Sequence, residues 1–161
     1  MPKKNKQATG FTLVELVVIL VIIGVLAVAA LPRFFDRTDF DARGFFDATM
    51  SALRYAQKTA VAQRRLVCVA FSPTGAVPAT VTLRVASAFG AVGCDTNLAG
   101  PTGVAPYQVV APSGVSFSST PAYPADFQFL PSGSASADRS FGVTGYTGGS
   151  ILVVAATGYV Y

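Results

Sequence analysis

The chain has no histidine, two cysteines, two methionines and few charges, which make up 12% of its 161 residues. Each shortage removes a class of function. Without histidine no side chain has an unperturbed pKa near neutrality, so general acid–base catalysis would fall to displaced carboxylates or lysines. With two thiols and no imidazole, a zinc site is not expected. The serines stand in no Gly-x-Ser-x-Gly, the pattern of a nucleophile elbow. The densest acidic cluster, Asp36-x-x-Asp39-x-Asp41, lacks the glycine and terminal glutamate of a calcium loop, and helix capping suits it better. These shortages point away from an enzyme, a cofactor or a metal site.

Charge is scarcest between residues 10 and 31, which read Gly-Phe-Thr-Leu-Val-Glu-Leu-Val-Val-Ile-Leu-Val-Ile-Ile-Gly-Val-Leu-Ala-Val-Ala-Ala-Leu. About 20 apolar residues cross the ~30 Å hydrocarbon layer as a helix, so by length this run is a membrane anchor. Its one charge is Glu15, and a carboxylate in lipid costs about 2.5–3.5 kcal/mol. Glu15 therefore asks for a cation. None lies between Phe11 and Leu31; Lys3, Lys4 and Lys6 precede the run and Arg33 follows it. A cut between Gly10 and Phe11 would free an amine with an unperturbed pKa of about 7.7–8.0, mostly cationic near neutral pH. That amine would lie one helical turn from Glu15.

Lys3, Lys4 and Lys6, then Gly10, Phe11, Thr12, Leu13 and Glu15 ahead of an apolar helix, resemble the leader of type IV prepilins and type II secretion pseudopilins. The resemblance implies that a prepilin peptidase cuts after Gly10 and methylates the Phe11 amine. It also implies that Glu15 sets register against the terminal amine of a neighbouring subunit. An uncleaved anchor whose glutamate snorkels to the interface is the plainer alternative. A secretory signal fits less well, since its apolar core runs to about 7–15 residues. The lysines ahead of the run place the leader in the cytoplasm and everything after Leu31 beyond the inner membrane. The leader holds three of the 12 basic residues and no acid, so the rest carries nine bases against eight acids. The pI near 9.3 is thus mostly a topogenic signal and gives little support to a nucleic-acid partner.

Residues 1–10 read as leader, 11–31 as the anchor, 32–65 as an amphipathic helix and 66–161 as a β-rich head. Pro32 predicts a kink rather than an end to the helical region. Beyond it Phe46, Met50, Leu53, Ala56, Ala60 and Val61 recur at spacings of three or four, while Arg43, Asp47, Arg54, Lys58 and Arg65 fall mainly on other faces. Arg64 and Arg65 end this helix, where cations complement its dipole. Short runs then alternate with Gly, Pro and Ser, predicting strands at 66–71, 80–86, 107–111, 115–118, 126–130, 139–143, 151–155 and 158–161. Such a series favours antiparallel pairing. The segment Ala86 to Pro106 shows little pattern and reads as a long loop. In an oxidising compartment Cys68 and Cys94 default to a disulfide, with two buried thiols as the other possibility. Arg84 and Arg139 read as isolated, solvated charges.

Ser51-Ala52-Leu53-Arg54-Tyr55-Ala56-Gln57-Lys58-Thr59-Ala60-Val61-Ala62 leading into Val67-Cys68-Val69 resembles the minor pseudopilins of the GspH/FimT type, as do the closing Ile151–Val154 and Thr157–Tyr161 runs. The ending and Pro32-Arg33-Phe34-Phe35 are similar to minor pilins of the mannose-sensitive haemagglutinin system. Where some FimT-like proteins carry a DNA-binding Gly-Arg-x-Arg, this chain has Gly158-Tyr159-Val160-Tyr161, which lacks the charge that phosphate contacts need. Edge-strand packing is the role expected of Tyr159 and Tyr161. The resemblance implies an α+β fold, a long amino-terminal helix on an antiparallel β-sheet head. It implies a minor subunit of a type IV pilus or type II secretion pseudopilus, partnered by prepilin peptidase, other pilin or pseudopilin subunits and the inner membrane. A major pilin or adhesin, and a DNA-binding minor pilin, are the rival readings.

Overall fold

A computed structural model describes residues 11–35, 37–72, 76–119 and 124–161 and, at 28–35 and 37, the backbone alone. The leader with Gly10, Asp36 and the turn at 73–75 lie outside these residues. Two units emerge, Met1–Arg37 and Thr38–Tyr161. In the first, α1 spans Leu13–Phe35. Its helical backbone includes Pro32, whose ring, and with it the expected kink, lies outside the described side chains.

In the second unit, α2 (Arg37–Gln63) lays one face on a β-sheet. Ala42, Phe45, Phe46, Thr49, Ala52, Leu53, Ala56 and Ala60 are buried, at spacings of three and four. The small alanines occupy the middle and end of this buried face, and Phe45 and Phe46 at its start pack on Phe117 and Tyr146. Val61, expected in this stripe, is 47% exposed, because one further residue of rotation carries it past the edge of the sheet.

The end of α2 also departs from expectation. Its last turn holds no basic residue, and Arg64 and Arg65 come after it. Arg64 takes φ 51°, its amide bonds the Val61 carbonyl at 3.3 Å, and the Arg65 amide bonds the Ala60 carbonyl at 3.2 Å. This is a Schellman-type stop with arginine where glycine is usual. The two residues cap the helix through their backbones and turn the chain into the first strand.

Eight strands follow: β1 Val67–Phe71, β2 Thr80–Val85, β3 Thr96–Asn97, β4 Tyr107–Val110, β5 Phe117–Ser118, β6 Phe127–Phe129, β7 Arg139–Val143 and β8 Ile151–Val153. They form two antiparallel sheets. The first runs β3-β2-β1-β6, with β4 sharing the outer edge of β2; the second runs β5-β7-β8. Two expectations are corrected. The 86–106 segment contains β3, which pairs Arg84 with Asn97 and Val85 with Thr96. The run 158–161 is a shorter strand than expected: it lies along β8 through the Val153–Val160 bridge and the backbone bonds of Tyr161 with Leu152 and of Tyr159 with Val154, because Gly158 (φ 63°) and the Thr157 turn leave only its last three residues extended.

Alternation along the strands sends Val67, Val69 and Phe71 of β1, and Val81, Leu83 and Val85 of β2, inward toward α2. Phe71 couples the two sheets. Its ring lies 5.3 Å from Phe117, 5.2 Å from Phe141 and 6.3 Å from Phe127, the first two edge-on, a favoured aromatic arrangement. Phe45 of α2 meets the same cluster through Phe117 at 5.1 Å. One core therefore serves helix and both sheets.

The left-handed conformation of Arg64 is costly for a residue with a Cβ and free for glycine. Arg64→Gly should raise the unfolding free energy by about 1 kcal/mol, read by denaturant titration. An unchanged or lower midpoint would show that the arginine side chain makes a compensating contact.

Candidate functional site

The start of α1 is built by Thr12 and Glu15. The Thr12 hydroxyl accepts the Glu15 amide at 3.3 Å, and the Thr12 carbonyl accepts the Leu16 amide at 3.2 Å. Thr12 is thus the N-cap and Glu15 the third helical residue, the Thr-x-x-Glu spacing of a capping box. Glu15 is also the acid of the first turn, where the helix dipole favours negative charge. Thr12 is a capping residue that apolar length alone does not reveal, although the four-residue signature is present in the sequence.

Phe11 precedes the helix and is 76% exposed. From Leu13 to Ala27 every side chain is exposed, on all sides of the helix. Within that stretch only Glu15 is charged. Among the described residues, no helix is long and apolar enough to cross a membrane. The structure thus presents an apolar cylinder with one carboxylate near its tip and no cation paired to it among the described residues.

The head carries its own polar features. Cys68 on β1 is bonded to Cys94, Cα to Cα 6.0 Å, closing the 86–106 segment against the sheet. Beside it the Asp95 carboxylate accepts the Ser87 amide at 2.7 Å and the Ser87 hydroxyl, which together hold this carboxyl below its ordinary range. Arg84 donates to the Asp95 carbonyl at 3.3 Å. Arg139, expected to be a solvated charge, is engaged on every side. It donates to the carbonyls of Ala125, Asp126 and Asp138, each at 2.9 Å, and lies over the Phe127 ring at 5.8 Å.

The chain's end is tied to α2. Arg54 Nε donates to the Val160 carbonyl at 3.1 Å, and Gln57 donates to the carbonyls of Thr157 and Gly133. Tyr159 and Tyr161 lie at the sheet edge as expected, their backbones bonded to Val154 and Leu152 of the β8 region, but their rings do not pack inward. Val160 takes the inward position, and the two rings stack on each other outside at 5.4 Å, 59% and 48% exposed. No group of three or more metal-ligating side chains comes together among the described residues.

Residues 5–31 match the family model described as the prokaryotic N-terminal methylation motif. The chain is also 46% identical, over 59 residues, to the type IV narrow pilus major component PilA5 of Thermus thermophilus. That stretch covers 37% of this chain and 51% of PilA5, so the chain spans about half the length of the curated relative it matches. No solved structure matches the chain.

The head's geometry can be tested at two places. Removing the disulfide by Cys68→Ser with Cys94→Ser should lower the unfolding free energy by roughly 3–4 kcal/mol, the value chain entropy gives a loop of this length, measured by denaturant titration. The Asp95 carboxyl has a lower pKa folded than unfolded, so its stabilising effect is present above the ordinary value of 3.8 and is lost as pH falls through the folded value. Exchange at the Ser87 amide, relative to its intrinsic rate, should therefore quicken in acid while the β1 and β2 amides stay protected. Protection of Ser87 that stays level as the pH is taken from 7 to well below the ordinary carboxyl range, with the fold intact, would contradict this.

Proposed function

We propose that this type IV pilin-like chain is a non-enzymatic filament subunit, cut after Gly10 by a prepilin peptidase and methylated at the Phe11 amine. The observation that carries the reading is the stretch of α1 from Leu13 to Ala27, apolar and exposed, whose one charge, Glu15, sits one turn from the proposed new amino terminus. Contiguous apolar surface of this extent marks a lipid or protein partner. Before assembly the partner is the inner membrane, with 1–10 as leader, 11–31 as span, and 32–65 with 66–161 forming the extracytoplasmic part. The run to Leu31, longer than the stretch whose side chains are described, supplies the length. In the filament the partners are the corresponding helices of other subunits.

Assembly by this route moves an apolar helix from lipid to a packed helical core, which removes little hydrophobic free energy and leaves packing and the charge pair to set register. The Glu15 carboxylate pairs with the Phe11 amine of a neighbour. Each charge alone in a dry core would be costly, so a misregistered subunit is rejected.

A type IV pilus is favoured over a secretion pseudopilus by the name of the Thermus relative. The same name favours a bulk position, whereas the resemblance of the α2–β1 junction to GspH/FimT-type proteins favours a minor one. Copy number in sheared fibres separates the two. DNA binding finds less support, since Tyr159 and Tyr161 occupy the positions where arginines would be needed.

Two measurements test the reading. The intact mass of the membrane-extracted chain should equal residues 11–161 plus one methyl group; a mass that includes Met1 contradicts processing. Glu15→Val should leave membrane insertion intact and lower recovery in sheared fibres by about tenfold or more, the effect of stranding the neighbour's amine. Normal recovery would refute the role given to Glu15.

A further inference from the structure

Two apolar features stand at opposite ends of the unit from Thr38 onward. At one end is a groove of about 590 Å³ whose apolar walls are Leu66, Ala91, Val92, Leu130, Pro131 and Ala135, with no charged side chain in its lining. Leu66 joins α2 to β1, residues 90–92 belong to the β2–β3 connection, and Leu130 with Pro131 turns the chain after β6. The β2–β3 connection leaves Val92 and Phe89 almost bare, 95% and 77% exposed. At the other end Phe40 stands in the first turn of α2, 79% exposed. The hollow beside it is lined by Asp39, Arg43, Gly145, Tyr146 and Thr147 and leaves the ring uncovered.

An exposed phenylalanine alone is ordinary, and so is a shallow groove. Their arrangement narrows what can join them. From Phe40 to the end of α2 at Gln63 the helix rises roughly 35 Å, so the ring cannot reach the groove of its own chain. Val61, Phe89 and Val92, also exposed, belong to the groove end. Phe40 is carried on a regular helix, which presents its ring at a fixed place. A rigid aromatic anchor entering an apolar pocket is the usual centre of a protein contact.

We propose that the groove of one chain receives Phe40 of a second copy. The contact joins two different patches of the same molecule. Two antiparallel copies satisfy it reciprocally and stop, whereas copies in one orientation leave a ring free at one end and a groove at the other, and propagate. The inference rests on the filament reading, in which every subunit enters from the membrane in one orientation, and that selects the propagating row. Charge favours the pairing modestly. Residues 37–47 hold three acids against Arg37 and Arg43, and Arg43 lies 4.0 Å from Asp47. Arg64 and Arg65 lead into Leu66, with no acid between Asp47 and Asp95. Apolar fit therefore sets the contact, and a contact of this kind belongs to a bulk subunit, since a lone minor copy has no second groove to enter.

The test uses the full chain in its own host, with fibres recovered by shearing. Gly44→Cys with Val92→Cys in one chain leaves both Phe40 and the groove walls other than Val92 in place. Gly44 lies one turn from Phe40 on the same face, and a Cβ there meets nothing within 4 Å. A short bismaleimide, to which the bonded Cys68 and Cys94 are inert, should join these fibres into a ladder of dimers, trimers and longer species. Either cysteine alone should leave monomer, since neither position meets itself. Phe40→Ser should lower fibre recovery about tenfold, while Phe40→Leu stays within about threefold of wild type. Thermal melting of each full-length variant in detergent is the folding check. Fibres of the double variant that give no ladder overturn the proposal. So does a product that stops at the dimer, the mark of the reciprocal pair, and so does cross-linking to a different fibre protein, which gives the groove another occupant. Wild-type recovery of Phe40→Ser overturns it as well. Absence of the wild-type chain from fibres would instead overturn the filament reading itself.

Discussion

Everything in this chain is organised around an apolar helix that its own fold does not cover. From Leu13 to Ala27 the side chains of α1 are exposed on every side, and transfer of that surface to an apolar surrounding is favourable by roughly 25 cal/mol per Å². The chain therefore has two parts of different character: a helix whose described side chains are apolar and exposed, and a unit from Thr38 onward in which α2, two sheets and the Phe71 cluster share one core. Under the filament reading, this separation lets α1 exchange lipid for protein without unfolding the head.

The sequence discloses these two parts unequally. The anchor is legible because length and the near-absence of charge act locally, and the strands β1, β2 and β7 are legible because alternation and Gly/Pro turns are local as well. Strand β3 is not, since Thr96 and Asn97 have no pattern of their own and are extended because β2 offers them an edge beside the Cys68–Cys94 bond. The division into two sheets is equally hidden: it depends on Phe71 meeting Phe117 and Phe141, residues far apart in the chain. Arg139 reads as a bare surface charge for the same reason. Its carbonyl partners at Ala125 and Asp126 are brought to it by the β6–β7 connection.

The polar residues of α2 carry more structure than their pattern announces. Arg54 and Gln57 sit where an amphipathic helix would place solvated groups, yet they hold the carbonyls of Val160, Thr157 and Gly133. A hydrogen bond from a charged donor contributes about 1.5–3 kcal/mol when partly shielded, which adds to the backbone bonds that tie this short segment to β8. That tie turns Val160 inward and leaves Tyr159 and Tyr161 stacked outside. The site at α1 is legible in its charge and less so in its cap, because Thr12 acts through a hydroxyl that composition does not distinguish from any other.

The cap sharpens what Glu15 requires. As the third residue of α1 and the acid of its first turn, Glu15 has a structural role that could, by itself, account for a carboxylate there. Magnitude decides against stopping at that point. The dipole offers a charge in this position about 0.3–1 kcal/mol, and at most ~2 in partly buried settings. Removing the same charge to hydrocarbon costs about 2.5–3.5 kcal/mol, and a dry helical core is no kinder. A residual of at least ~0.5 kcal/mol remains even at the most favourable end of the dipole range, and about 2 kcal/mol at its ordinary values. Nothing basic lies between Phe11 and Leu31 to offset it, so the compensating cation has to come from outside that run.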